Sequence, residues 1–206
     1  DDQSLRIFDT SVLLHHGDGG YKAEPGREQY LAEHIAGAGF INLSKTWSDT
    51  SSPYSNTVPE LDALCAAIAN DGIGNDNPVV LYSSSHLMWA TRAWWLLRYA
   101  GHNNVRVLNG NLGAWVSAGL PTRSGEETYP STNFTASARP ELFVSTQEVA
   151  QGIDDAPVCK THDRKSISTE RTFNHDTTDL DKLRSILMAM IENLSFQLRK
   201  GNKLTS

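Results

Sequence analysis

Apolar and polar positions follow one another along this chain in a pattern that predicts an α/β domain. The clearest unit spans residues 78–99. Val79-Val80-Leu81-Tyr82 is an unbroken apolar run entered by a proline, as expected of a parallel strand covered on both faces. Ser83-Ser84-Ser85-His86 follow as a short polar loop. The next residues put Trp89, Ala93, Leu96 and Leu97 on one side of a helix, with Arg92 and Arg98 expected elsewhere on its surface. A strand, loop and helix in this order set backbone N–H groups and a helix N-terminus around the carboxyl end of the strand. That arrangement favours anions.

Shorter units flank this one. Residues 5–9 predict a strand whose end exposes Asp9. Residues 15–20, His-His-Gly-Asp-Gly-Gly, read as a solvated loop rather than a metal site, because polar loops are usually exposed. Residues 28–35 predict a short helix and 37–42 a strand. Thr57-Val58-Pro59-Glu60 has the form of a capping box, opening a helix through Leu61, Leu64, Cys65 and Ile68 that Asn70-Asp71-Gly72 stops. Cys65 shares that apolar stripe and reads as a structural thiol, since a reactive cysteine needs an electropositive, partly exposed setting. Residues 105–108 predict another parallel strand, leading to a helix with Leu112, Trp115 and Val116 inward. Phe143-Val144 predicts a strand before a capped helix at 145–149. In the tail, Leu180, Leu183, Leu187, Met190 and Leu194 step by three and four, which predicts a helix at about 179–200. It either folds back on its own domain or pairs two chains.

Composition narrows the function classes. A net charge of −6 argues against nucleic acid and anionic membrane surfaces as partners. No apolar run approaches the roughly 20 residues needed to span a bilayer. Two cysteines, Cys65 and Cys159, make no disulfide framework, so a reducing compartment is expected, cytoplasmic with an organelle as the alternative. Neither a secretory signal nor an initiator methionine opens the chain, which is expected to start inside a longer reading frame or after processing. The charge balance changes sign near Cys159. Residues 1–159 hold 9 Lys and Arg against 18 Asp and Glu, whereas residues 160–206 hold 9 against 6. All five tryptophans lie before that break. Two kinds of sequence meet there, and a fused or frameshifted end would have this look.

Residues 79–121, VVLYSSSHLMWATRAWWLLRYAGHNNVRVLNGNLGAWVSAGLP, resemble the rhodanese domain of the thiosulfate and 3-mercaptopyruvate sulfurtransferases. So do YLAEHIAGAGF (30–40), in which Glu33 and Ala36 replace the usual Gly and Pro, SDTSSPYSNTVP (48–59) and the LRIFDTSVLL opening. The resemblance implies a rhodanese-like α/β fold: a parallel sheet of about four or five strands with helices on both faces, here followed by the C-terminal helix. It also implies a domain plan: a rhodanese-like domain over 1–122, a connector at 123–140, the start of a second such domain at 141–159, and a divergent tail at 160–206. The family's usual preceding strand and helix are absent, so the sheet edge beside residues 5–9 is expected to be uncovered.

The resemblance further implies sulfur transfer from thiosulfate or 3-mercaptopyruvate to a thiophilic acceptor. Catalytic members carry a cysteine directly after the apolar strand, and Ser83 stands there. A hydroxyl is far less acidic than a thiol and forms no stable persulfide, so this chain is expected to be inert, the N-terminal, non-catalytic half of a tandem enzyme. Ser83 also lacks the G-x-S-x-G elbow of a serine hydrolase. Asp49 matches an acid that such first domains extend toward the other domain, and Asn56 replaces the accompanying histidine. Cys159 lacks the strand and loop context of the family nucleophile and is not assigned that role. The alternative is a non-enzymatic anion-binding or interaction module whose loop, Ser83, Ser84, Ser85, His86, Leu87 and Met88, holds a small sulfur-containing anion with help from Arg92. No cofactor or metal is expected. A dimer through the C-terminal helix, or a catalytic domain supplied in trans, would complete the assembly.

Overall fold

A computed structural model describes residues 4–17 and 20–143 of the chain, which divides into two units at residues 139 and 140. In the first unit the elements run β1 (Arg6–Asp9), β2 (Val12–Gly17), β3 (Gly20–Pro25), α1 (Arg27–Ala32), β4 (His34–Ile35), β5 (Ala38–Phe40), α2 (Leu61–Asn70), β6 (Val79–Tyr82), α3 (Leu87–Ala100), β7 (Val105–Val107), α4 (Leu112–Ser117) and β8 (Thr122–Arg123). Four of them, β5-β1-β6-β7 in that order, form a parallel sheet. This is the parallel α/β architecture expected, and the apolar run of β6 lies inside it. Val79, Leu81 and Tyr82 are buried, and α3 packs across β6 and β7 through Trp89, Ala93, Leu96 and Leu97. A left-handed Gly101 ends α3, and its N–H returns to the Arg98 carbonyl.

The first strand is not at an edge. Asp9 pairs with Tyr82 on one side and Phe40 on the other, because the crossover through α1 brings β5 back against β1. Asp9 is 1% exposed rather than open to solvent, since it ends a central strand beneath the segments that follow β1 and β6. Residues 15–20 are not simply a loop. β2 and β3 form an antiparallel hairpin from Val12 opposite Pro25 to Gly17 opposite Gly20. The intervening dipeptide is Asp18-Gly19, a recognised short-range hairpin signal. His15 remains exposed on β2, with Nε2 3.5 Å from Glu24 Oε2.

Two local expectations fail for identifiable reasons. The N-cap of α2 is Glu60, with no side-chain cap. Thr57 is used within its own loop: its main chain bridges Asp49, and its hydroxyl donates to the Tyr54 carbonyl at 3.0 Å. In α4, Leu112 and Trp115 pack on the cluster of Ile35, Ala38 and Tyr82, but Val116 is 44% exposed. Trp115 and Val116 are successive residues, about 100° apart round the helix, so with Trp115 packed inward Val116 falls at the margin of the stripe.

Residues 122–139 are laid against the domain rather than hanging free. β8 pairs with β4, and the main-chain N–H groups of Gly125, Thr132, Ser137 and Arg139 donate to the carbonyls of Leu31, Ala69, Ala100 and Tyr99. The Tyr129 hydroxyl accepts from Ile7 N at 3.1 Å and donates to the Gly37 carbonyl at 2.6 Å. Its ring meets Phe8 edge-on, with the Arg6 guanidinium 4.6 Å from its centroid. Close approach of the backbones explains Gly101. A Cβ there would lie 2.4 Å from the Ser137 carbonyl oxygen. Of the second unit, residues 140–143 are described, with one turn of 3-10 helix at Pro140–Leu142. The strand and helix expected at 143–149, Cys159 and the helix expected at 179–200 lie outside the described residues.

Candidate functional site

Parallel pairing of β1 and β6 sets Asp9 beside Tyr82, so the residues after each strand leave the sheet together. Thr10 marks the exit: its N–H and its hydroxyl both donate to the Tyr82 carbonyl at 2.9 Å. One residue further, Ser11 meets the serine loop. Ser84 N donates to Ser11 Oγ at 2.7 Å, and Ser11 Oγ lies 3.4 Å from Ser83 Oγ. Ser83 Oγ accepts from Ser85 N at 3.3 Å and lies 3.2 Å from Ser85 Oγ, which donates to the Val12 carbonyl at 2.9 Å. The Asp9 carboxylate accepts from Ser11 N at 2.7 Å and from Ser84 Oγ at 3.0 Å. Ser11 and Ser83 are each 1% exposed. Burial pushes the Asp9 carboxyl above its ordinary range, against the pull of its bonds to Ser11 and Ser84.

The rest of the loop turns into α3. His86 is the N-cap, with Nδ1 accepting from Met88 N at 3.2 Å. Leu87 is 50% exposed and Met88 half-buried. Arg92 is not on the free surface as expected. It is half-buried and donates through Nη2 to the carbonyl of Asn56, tying α3 to the 48–59 loop. Burial lowers its guanidinium to about 10. Arg92 Nε and Asn56 Oδ1 are both buried without a hydrogen-bond partner. Asn56 sits at φ 58°, a left-handed conformation that asparagine tolerates better than most residues.

Asp49 serves its own turn. One of its oxygens, Oδ1, accepts from Ser51 N at 2.9 Å and from Ser51 Oγ at 2.6 Å. Those bonds hold its carboxyl below the usual range. No described contact joins it to the serine loop. The structure thus gathers Ser83, Ser84 and Ser85 with Asp9 and Ser11, places His86, Leu87 and Met88 at the start of α3, and sends Arg92 toward the 48–59 loop. Asp9 and Ser11 are the members that sequence reasoning missed. The usable signal was their position just past a strand that pairs in parallel with β6. Elsewhere Cys65 is a half-buried free thiol, pushed up by burial and by Asp62. Among the described residues, no group of three His, Cys, Asp or Glu is arranged to hold a metal ion, and no helix is long and apolar enough to cross a membrane.

Comparison with known proteins accounts for this architecture. Residues 24–118 match the Rhodanese-like domain family. Residues 164–206 match a different family, the impB/mucB/samB family C-terminal domain. The chain is 30% identical over 174 residues to 3-mercaptopyruvate sulfurtransferase of Escherichia coli (strain K12), covering 78% of this chain and 58% of that protein. It is 32% identical over 152 residues to thiosulfate sulfurtransferase of Rattus norvegicus, covering 73% and 49%. The chain therefore spans about half the length of the curated relatives it matches. Among solved structures, a 3-mercaptopyruvate sulfotransferase of rhodanese fold from Escherichia coli superposes with a TM-score of 0.65 at 28% identity, covering 73% of this chain and 56% of the other. The Tum1 protein of Saccharomyces cerevisiae, at 22% identity and a TM-score of 0.63 over 76% of this chain and 51% of its own, shares the fold. A family match over residues 24–118, relatives of one activity class, and the same fold in solved structures agree: the chain carries a rhodanese-like domain homologous to the 3-mercaptopyruvate and thiosulfate sulfurtransferases.

Proposed function

We propose that this domain is the non-catalytic half of a rhodanese-family sulfurtransferase, kept for structure or interaction while a cysteine-bearing domain performs the chemistry. One observation carries the reading. The residue that follows β6 is Ser83, and its hydroxyl is buried in a hydrogen-bonded chain of serines.

The chemistry requires a thiolate at that point. A thiolate attacks the outer sulfur of thiosulfate, the S–S bond breaks, and sulfite leaves with the bonding pair. Cyanide then takes the outer sulfur as thiocyanate and regenerates the thiolate. A serine hydroxyl, with no base identified to activate it, performs neither step. Asp49 and Asn56 supply no relay in this reading. The carboxylate is engaged by Ser51, and an amide does not titrate. The match covers only 58% and 49% of two such relatives, which leaves room for a cysteine-bearing domain in trans or in a longer chain. The charge break near Cys159 and the match of 164–206 to an unrelated family support a separate origin for the tail.

The test is a thiosulfate:cyanide and a 3-mercaptopyruvate assay on the full chain and on Cys159→Ser. The expected result is no thiocyanate or pyruvate above background in either. Turnover by the native chain that vanishes in Cys159→Ser would overturn the reading and make the tail part of an active site.

A further inference from the structure

The serine loop is closed on itself in a particular direction. Ser85 has one hydroxyl proton, and it goes to the Val12 carbonyl. Toward Ser83, Ser85 Oγ is then an acceptor, so Ser83 donates to it. Ser11 in turn donates to Ser83. Ser84 sends its proton to Asp9. With this assignment every hydroxyl has a receiver, and the chains end on two acceptors, a carbonyl and a carboxylate.

Four backbone donors are committed as well. Four N–H groups of the loop and first helical turn have defined partners: Ser84 N on Ser11 Oγ, Ser85 N on Ser83 Oγ, Met88 N on His86 Nδ1 and Trp89 N on the His86 carbonyl. Only one of the four, Ser85 N, reaches residue 83, and at 3.3 Å it is the longest bond of the set. Ser11 is itself held firmly. Gly26 N donates to its carbonyl at 2.8 Å, and a Cβ at Gly26 would lie 2.8 Å from Ser11 Cβ.

We propose that Ser11 is a lock that closes the loop at residue 83 against anions, taking the Ser84 N–H that would otherwise face that point and holding Asp9 beside it. The inference rests on the reading that Ser83 occupies the nucleophile position. It adds that replacing the serine does not by itself restore an anion site, because the Ser84 N–H is taken by Ser11 and the Asp9 carboxyl stands next to it. It also sets aside the alternative in which this loop binds a small sulfur-containing anion.

The test is made on the full chain with Ser83→Cys and with Ser83→Cys/Ser11→Ala. The thiolate at residue 83 is titrated by its ultraviolet absorbance, with the parent chain subtracting Cys65 and Cys159. The single variant is expected to ionise at or above the ordinary thiol value of about 8.5. The double variant should ionise at least about one unit lower, as the freed Ser84 N–H turns to the sulfur. A single variant already ionising well below the ordinary value, or a double variant that does not move, would overturn the lock. Thiosulfate added to chains that keep Ser83 is the second readout. It should leave the melting temperature of the native chain unchanged and raise that of Ser11→Ala. Stabilisation of the native chain, or none in Ser11→Ala, would sink the proposal. Neither readout needs turnover. Activity in the native chain would remove the inert reading and leave the lock standing, whereas a low thiol pKa in Ser83→Cys would do the reverse.

Discussion

Two regions of this domain bury polar groups and treat them in opposite ways. At the Ser83 corner, short hydroxyls satisfy one another and end on Asp9 and Val12. Under residues 122–139, polar atoms are left over. His102 is 1% exposed, with the Phe134 ring lying parallel to it. His34 Nε2 and Glu127 Oε2 face each other at 3.6 Å, and both lack a hydrogen bond. A hydroxyl rotates to suit its neighbours, but an imidazole presents two nitrogens in fixed directions. The corner is therefore a closed polar knot. The 122–139 segment is held by aromatic packing and main-chain bonds strong enough to tolerate unmet donors and acceptors.

That contrast predicts where the fold is vulnerable. Tyr129→Ala removes a ring packed on Phe8 and Arg6 together with two hydrogen bonds, leaving Ile7 N without its partner. A loss of about 2–4 kcal/mol is expected, read as a lower urea midpoint. A loss under about 0.5 kcal/mol would show that the segment only decorates the domain.

A smaller effect comes from acid. Burial raises the Asp71 carboxyl to about 6, although the Trp47 indole donates to it at 2.7 Å. The folded state then holds a proton there more tightly than the unfolded chain does. Asp71 thus costs stability at neutral pH and returns it as pH falls through about 6 toward the unfolded value, by up to roughly 2–3 kcal/mol. Asp9 acts in the same direction. His102 opposes both. Its imidazole is lowered by burial, so its folded-state advantage is present above the ordinary histidine range and is lost as pH falls through that range. Asp71→Asn should therefore unmask a steeper loss of stability between pH 7 and 5 than the native chain shows, measured by urea melts across that interval. Parallel profiles in the two proteins would contradict a raised Asp71 carboxyl.

The least effect is expected at the corner itself. Ser83→Ala leaves Ser85 N without its weak acceptor and otherwise removes one hydroxyl from a chain that can re-route, so about 1 kcal/mol or less should be lost. A loss comparable to that of Tyr129→Ala would mean that the knot, not the aromatic segment, holds the domain together.

Much of the fold was legible because its signals are local. β6, the serine loop and α3 follow from an apolar run, a polar break and a helical stripe, all within about two dozen residues. The Gly72 stop of α2 was equally readable. The hairpin of β2 and β3 was missed because histidines and glycines drew the eye to a loop, although Asp18-Gly19 between two extended runs carried the signal. The candidate site was legible only in half. The serines at 83–85 stand where the resemblance places them, but their partners come from residues 9–12 and depend on which strands lie side by side.

The sequence alone determined the class of fold, the course of the central strand and helix, and the serine where a thiol would be needed, since each is written in contiguous residues. Tertiary structure decided the central place of β1, the burial of Asp9, the turn of Arg92 toward Asn56 and the grip of Ser11 on the loop. Each of those depends on contacts between residues about 30 or more positions apart. Periodicity carries no information about such pairings, because they are selected by the packing of the whole sheet.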